Sequence, residues 1–159
     1  MLIARLDGGC WKNPGGPGAS ACLITRDGKE VFSDCKLLPE NPKMTNNVAE
    51  FEGLKMILEW CLKDGSDERI HIISDSQILI NRITGKSRKP PVGSCAAIAK
   101  ECVALCYKLK RKLSAEWQSR LTNDECDAMC TRKMRDHMKT SRVPSYMSDD
   151  RPRYGDEVL

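Results

Sequence analysis

Four acidic residues sit where secondary structure is expected to begin or end. Asp7 follows the apolar run Leu2-Ile3-Ala4-Arg5-Leu6, and Asp75 follows Arg69-Ile70-His71-Ile72-Ile73-Ser74. Glu50 reads as part of the first turn of a helix, and Asp127 lies early in the last helical stretch. If the two strands are neighbours, their ends bring Asp7 and Asp75 together, and a helix start can add Glu50. Carboxylates held close repel one another unless a proton or a cation lies between them. A hard divalent ion such as Mg²⁺ favours oxygen donors of this kind. Two such ions roughly 3.5–4 Å apart activate a water and stabilise the leaving oxygen at a phosphodiester. Each acid alone reads as an ordinary surface residue; it is the joint placement at element ends that points to chemistry.

The elements that must position these residues follow from periodicity and punctuation. The first strand is expected to stop at Asp7, because Gly8-Gly9 and then Asn13-Pro14-Gly15-Gly16-Pro17-Gly18 read as a tight, open loop. Ala19 to Thr25 and Glu30 to Leu37 read as two more strands around an Asp27-Gly28 turn, completing an antiparallel meander. From Asn46 the period changes. Val48, Phe51, Leu54, Ile57, Leu58 and Cys61 recur three and four apart, which is one apolar helix face. Thr45, Asn46 and Asn47 supply cap-type side chains, and Asp64-Gly65 ends the helix. Arg69 to Ser74 predicts a short strand buried on both faces. A helix through Ile78, Leu79 and Ile83 closes at Gly85, a basic linker runs from Lys86 to Pro91, and Val92 to Arg111 predicts a longer helix. Leu113 to Trp117 is the last strand. Thr122-Asn123-Asp124-Glu125 has the form of a capping box for a final helix to about Met138. This order predicts an α/β fold: a mixed five-stranded sheet, three antiparallel strands then parallel strands, flanked by helices. Residues 1–139 read as one domain, and the polar residues 140–159 as a disordered tail.

Composition sets the outer limits. A chain of 159 residues is large enough for one real core. The net charge of +4 is compatible with nucleic acid but mild, and its basic clusters (Lys86-Ser87-Arg88-Lys89 and Lys108-Leu109-Lys110-Arg111-Lys112) resemble solvated surfaces. No apolar stretch approaches the roughly 20 residues needed to span a bilayer, so no membrane partner is expected. The N-terminus has no basic segment followed by an apolar core, so an intracellular, cytoplasmic protein is expected, acting as a monomer. Nine cysteines are an odd number with no C-x-x-C pair, which argues against a disulfide framework and against zinc. Cys102 and Cys106, and Cys126 and Cys130, stand at helical spacing among apolar neighbours and read as core thiols.

Taken together, the motifs resemble ribonuclease H of type 1. That family opens on a strand ending Asp-Gly-Ser with a Gly-Asn-Pro-Gly loop, and this chain has Asp7-Gly8-Gly9-Cys10 and Asn13-Pro14-Gly15. Its first helix begins Thr-Asn-Asn-x-x-Glu, matched by Thr45-Asn46-Asn47-Val48-Ala49-Glu50, and its fourth strand ends Asp-Ser-Gln, matched by Asp75-Ser76-Gln77. Members with shorter loops close on Arg-x-x-Asn-x-x-Ala-Asp, and Arg120-Leu121-Thr122-Asn123-Asp124-Glu125-Cys126-Asp127 is similar to it. The resemblance implies a ribonuclease H-like fold and an endoribonuclease that hydrolyses the RNA strand of RNA/DNA hybrids by two-metal-ion catalysis, leaving 5′-phosphate and 3′-hydroxyl ends. It implies two Mg²⁺ per site, with Mn²⁺ able to substitute, held by Asp7, Glu50, Asp75 and Asp127. Asp7 would bridge both ions, with Glu50 and Asp75 toward the leaving-group metal and Asp127 toward the metal holding the attacking water. It implies further that Gly8, Cys10 (through its backbone), Asn13, Asn46, Asn47 and Gln77 contact the RNA strand, and that Thr45 holds a phosphate of the DNA strand. Amides suit that task, because they donate and accept, and the 2′-hydroxyl is what separates RNA from DNA.

Departures from the family pattern are equally specific. Many bacterial members carry a histidine in a loop before the last aspartate, and Trp117 to Asp127 has none, so turnover is expected to be slower or differently controlled. The basic handle is reduced to Lys86, Arg88 and Lys89. The chain opens on its first strand, so no separate hybrid-binding module is expected ahead of it. Two other readings compete: a non-catalytic hybrid-binding domain, and another nuclease of the wider ribonuclease H-like superfamily. Retained carboxylates argue against a pure binder, since acids facing a phosphate backbone cost affinity. The hybrid-reading amides argue against an enzyme that acts on DNA alone.

Overall fold

In the computed structural model, which describes residues 1–140, Asp27 and Gly28 both take positive φ (52° and 78°). This is the left-handed pair that a tight hairpin requires, and it joins β2 (Gly18–Arg26) to β3 (Lys29–Leu38). The central strand β1 (Leu2–Cys10) pairs antiparallel with β2 and parallel with β4 (Ile70–Ser74). A fifth strand, β5 (Leu113–Trp117), pairs parallel with β4, giving the order β3-β2-β1-β4-β5. The mixed five-stranded sheet expected from the sequence is therefore present. Residues 141–159, nearly all of the segment read above as a tail, lie outside the described residues.

β1 does not stop at Asp7. It runs on to Cys10, with Gly8 opposite Ser20 and Gly9 opposite Ala19 on β2. The glycines read as strand breakers serve a different purpose. Helix α1 (Asn46–Asp64) crosses β1 so closely that a Cβ on Gly8 would lie 2.3 Å from the carbonyl carbon of Ala49. Glycine here permits a close approach of two backbones rather than a turn.

α1 is held at both ends by the chemistry its sequence supplies. The Thr45 hydroxyl accepts the Val48 N–H at 3.2 Å, and Gly65, at φ 69°, donates its N–H to Cys61 O at 3.1 Å. With Thr45 as the cap, Glu50 falls in the second turn rather than the first. Helices α2 (Gln77–Thr84) and α3 (Ala96–Lys108) pack with α1 around one core containing Leu6, Phe51, Leu54, Ile72 and Ile98. α3 is shorter at both ends than expected: Gly93 turns at φ 81° before it, and Leu109 is extended after it.

The opposite face is covered by α4 (Asp124–Thr140), which packs on β1, β2 and β3 through Cys126, Cys130, Met134 and Met138. β4 is buried at Ile70, Ile72 and Ser74 on one face and at Ile73 on the other, where only His71 is partly open. His71 is half-buried, with Nδ1 2.6 Å from the Ser114 hydroxyl and Nε2 2.7 Å from the Glu116 carboxylate. The capping box read at Thr122 does not form. A 3-10 turn (Arg120–Thr122) occupies that stretch, and the Thr122 hydroxyl donates to Ser119 O at 2.8 Å instead. All nine thiols are free, and six of them are buried. Among the described residues no helix is long and apolar enough to cross a membrane.

Candidate active site

The parallel pairing of β1 and β4 runs from Leu2 opposite Ile70 to Arg5 opposite Ile73, and then the strands part. At the parting the Asn123 amide donates to Leu6 O at 2.6 Å, fastening the chain just ahead of α4 to β1. Three carboxylates meet there. Oxygens of Asp7, Glu50 and Asp75 all lie within 4.8 Å of one another.

Each of the three is held by a separate element. Asp7 stands on β1 opposite Ala21, on the sheet face opposite to Leu6 by strand alternation. Glu50 is set by the passage of α1 over β1 and β2. The Ser20 hydroxyl donates to Ala49 O at 2.6 Å, and Gly53 passes where a Cβ would lie 3.4 Å from Ala21 O. Asp75 follows β4 directly, and its carbonyl accepts the Trp117 indole N–H at 2.8 Å. Asp7 and Glu50 are 2% and 4% exposed, so their charges are largely out of water. Asp127, in the first turns of α4, lies outside this threesome but near it. Burial pushes the Asp75 carboxyl above its ordinary value; the Arg120 guanidinium opposes that shift, and the charge of Asp127 adds to it.

A donor set made of carboxylate oxygens fits a hard divalent cation and not a soft one. The group is thus a candidate metal-binding cluster by its chemistry as well as its spacing. Beside it lies a depression of about 340 Å³ lined by Asn46, Asn47, Glu50, Asp75, Gln77 and Arg120, among others.

Of the remaining residues singled out from the sequence, Asn46, Asn47 and Gln77 line this depression and Gly8, Cys10, Asn13 and Thr45 are not among its lining; several have structural tasks. Asn46 Oδ1 accepts the Cys10 N–H at 3.0 Å, and Asn13 Oδ1 accepts the Asn46 N–H at 3.2 Å. The loop after β1 is thereby tied to the start of α1. The Asn46 side chain is a bridge between elements, not the helix cap, since Thr45 fills that position. The Thr45 hydroxyl also lies 3.2 Å from that of Ser94, ahead of α3. Asn47 is exposed, and Gln77 Nε2 donates along α2 to Asn81 Oδ1 at 2.8 Å. Cys10 is fully buried with its N–H given to Asn46 Oδ1, and Gly8 is buried under α1, so neither position presents an exposed surface.

Sequence reasoning did not single out Arg120, Asn123 or Ser20 for a role. The spacing Arg120-x-x-Asn123 was the available signal for the first two. For Ser20, buried mid-strand among small residues, the sequence carries none.

Residues 5–133 match the family described as reverse transcriptase-like. Among curated relatives, the bifunctional protein Rv2228c of Mycobacterium tuberculosis is 29% identical over 133 residues, covering 80% of this chain. The chain spans 36% of that relative's length. Among solved structures, LC11-RNase H1 in complex with an RNA/DNA hybrid superposes at TM-score 0.76 with 20% identity, covering 87% of this chain and 99% of that one. RNase H1 of the halophilic archaeon Halobacterium salinarum gives TM-score 0.70 with 25% identity, covering 85% and 98%. The family match across most of the chain shows that the protein belongs to the reverse transcriptase-like family, and its sheet order is that of a fold shared with these ribonuclease H1 structures.

Proposed function

We propose that this chain is an endoribonuclease that hydrolyses the RNA strand of RNA/DNA hybrids, leaving 5′-phosphate and 3′-hydroxyl ends. The observation that carries the reading is the meeting of Asp7, Glu50 and Asp75 within 4.8 Å, beside a depression lined by Asn46, Asn47 and Gln77. Asp7, Glu50, Asp75 and Asp127 would hold two divalent ions, Mg²⁺ by preference with Mn²⁺ able to substitute. Such ions, when bound, supply acidified water and offset charge on the departing 3′-oxygen.

The chain's own residues bind and orient. Burial of Asp7 and Glu50 removes competing water and strengthens their hold on a cation. Exposed amides at Asn13 and Asn47, with Asn46 and Gln77, offer donors and acceptors to 2′-hydroxyls along an RNA strand. Gly8 and Cys10 support that edge from beneath, Cys10 through the N–H it donates to Asn46. The paired hydroxyls of Thr45 and Ser94 offer donors to a phosphate of the DNA strand. Nine free thiols accord with a reducing, cytoplasmic setting, and the enzyme so proposed acts as a monomer.

The test is cleavage of one labelled RNA, single-stranded, paired with DNA and paired with RNA, with Mg²⁺ and with chelator. Metal-dependent cutting of the DNA-paired RNA alone is expected, with 5′-phosphate on the products. Tight hybrid binding without cutting would overturn the enzymatic reading in favour of a hybrid-binding domain.

A further inference from the structure

Cys35 and Cys130 form a thiol pair that the nuclease reading leaves unused. Cys35 stands on β3 opposite Ala21, half-buried, with Sγ 3.4 Å from Met129 O on α4. Cys130 is the next residue of that helix and is fully buried; its Sγ lies 3.6 Å from both Asp7 O and Ala19 O. The two side chains pack in one cluster across the β3–α4 contact. One residue of the pair is therefore partly open to solvent and the other is not. That is the arrangement of a thiol open to attack with a second thiol behind it to resolve the product.

We propose that Cys35 and Cys130 are an oxidation site, converted by a peroxide into a disulfide that joins β3 to α4 beside the carboxylate cluster. In the first step the Cys35 sulfur attacks one peroxide oxygen and the O–O bond breaks, giving the Cys35 sulfenic acid and, from hydrogen peroxide, water. In the second, the Cys130 sulfur displaces the hydroxyl from Cys35, releasing a second water. Two thiols lose two electrons, and the peroxide gains them. The neighbouring Cys130 side chain holds the Cys35 thiol below its ordinary value, and Lys133 acts in the same direction while burial and Asp34 oppose it. The roles are unequal because burial is: half-buried Cys35 attacks and fully buried Cys130 resolves. Disulfide formation removes the Cys130 S–H from beneath Asp7 O, one helical turn from Asp127.

The test treats the full chain briefly with hydrogen peroxide, alkylates the remaining thiols, and reads the digest by mass. The expected product is a peptide pair joined through Cys35 and Cys130, two hydrogens lighter than the sum, with free thiols falling from nine to seven and returning on reduction. Cys35→Ser removes the cross-link while keeping the melting curve, and Cys130→Ala removes it from the buried side. Oxidation of Cys35 to a sulfinic or sulfonic acid without joining, a cross-link to a different cysteine, or retention of all nine thiols would overturn the assignment. The readout is a mass and does not depend on the nuclease reading.

Discussion

The two ends of α1 handle charge in opposite ways. At the C-terminal end Arg111, with its side chain 1% exposed, donates to Asp64 at 2.9 Å, Cys61 O at 3.0 Å and Glu68 O at 3.3 Å. One cation meets one carboxylate, the last-turn carbonyl of Cys61 and, beyond the helix, that of Glu68, at an end where the helix dipole favours positive charge. That guanidinium holds the Asp64 carboxyl below the usual carboxylate value. At the N-terminal end Glu50 joins Asp7 and Asp75 within 4.8 Å, with Asp127 near and Arg120 lining the same depression. Burial there raises the Asp75 carboxyl instead. Matched charge at one end is a structural clamp. Gathered negative charge at the other is an arrangement that a cation would complete.

The largest effect should come from touching the gathered end. Asp7→Asn keeps the shape but removes a charge, and is expected to cut hybrid cleavage on the order of 10³-fold, the equivalent of about 4 kcal/mol, in a Mg²⁺ assay. Near-normal turnover would break the comparison at once. Next is the close approach that delivers Glu50. Gly8→Ala places a Cβ 2.3 Å from the Ala49 backbone, so denaturant melts should show a loss of about 3 kcal/mol together with lost cleavage.

These two predictions also mark what the sequence made legible. Asp75 was readable because it follows β4 directly; Asp7 and Glu50 were found through the motifs around them, although β1 runs on to Cys10 and Glu50 lies in the second turn of α1. The Asp27-Gly28 turn and the Thr45 cap were readable because their chemistry is local. Gly8 and Gly9 misled, since glycine as breaker and glycine as clearance look identical until a helix is seen crossing the strand. Val92 to Ser94 read as helix by composition, whereas Gly93 turns at φ 81° ahead of α3. Arg120 and Asn123 were legible only as a spacing; their tasks were not, because the groups they act on, Asp75 and Leu6 O, lie far away in sequence.

A smaller effect is expected at Asn123, whose buried amide fastens the start of α4 to β1. Asn123→Ala should cost about 1–3 kcal/mol in chemical denaturation by orphaning Leu6 O, and should weaken cleavage less than Asp7→Asn does. The smallest concerns the matched end. Asp64 has a folded value below its ordinary 3.8, so its contribution is complete above about pH 4 and fades as pH falls through the folded value. Asp64→Asn should flatten that part of the pH–stability curve, and an unchanged acid limb would show that Arg111 is held by the carbonyls alone.

The central claim is that the acids at the N-terminal end of α1 repel one another until a cation binds. Thermal melting of the unsubstituted chain and of Asp7→Asn, each in chelator and in Mg²⁺, tests it most directly. The expected result is that Mg²⁺ raises the melting temperature of the unsubstituted chain, while Asp7→Asn melts higher than it in chelator and responds little to the metal. If Asp7→Asn melts lower in chelator and keeps the full Mg²⁺ shift, the cluster is a structural network and the account is contradicted.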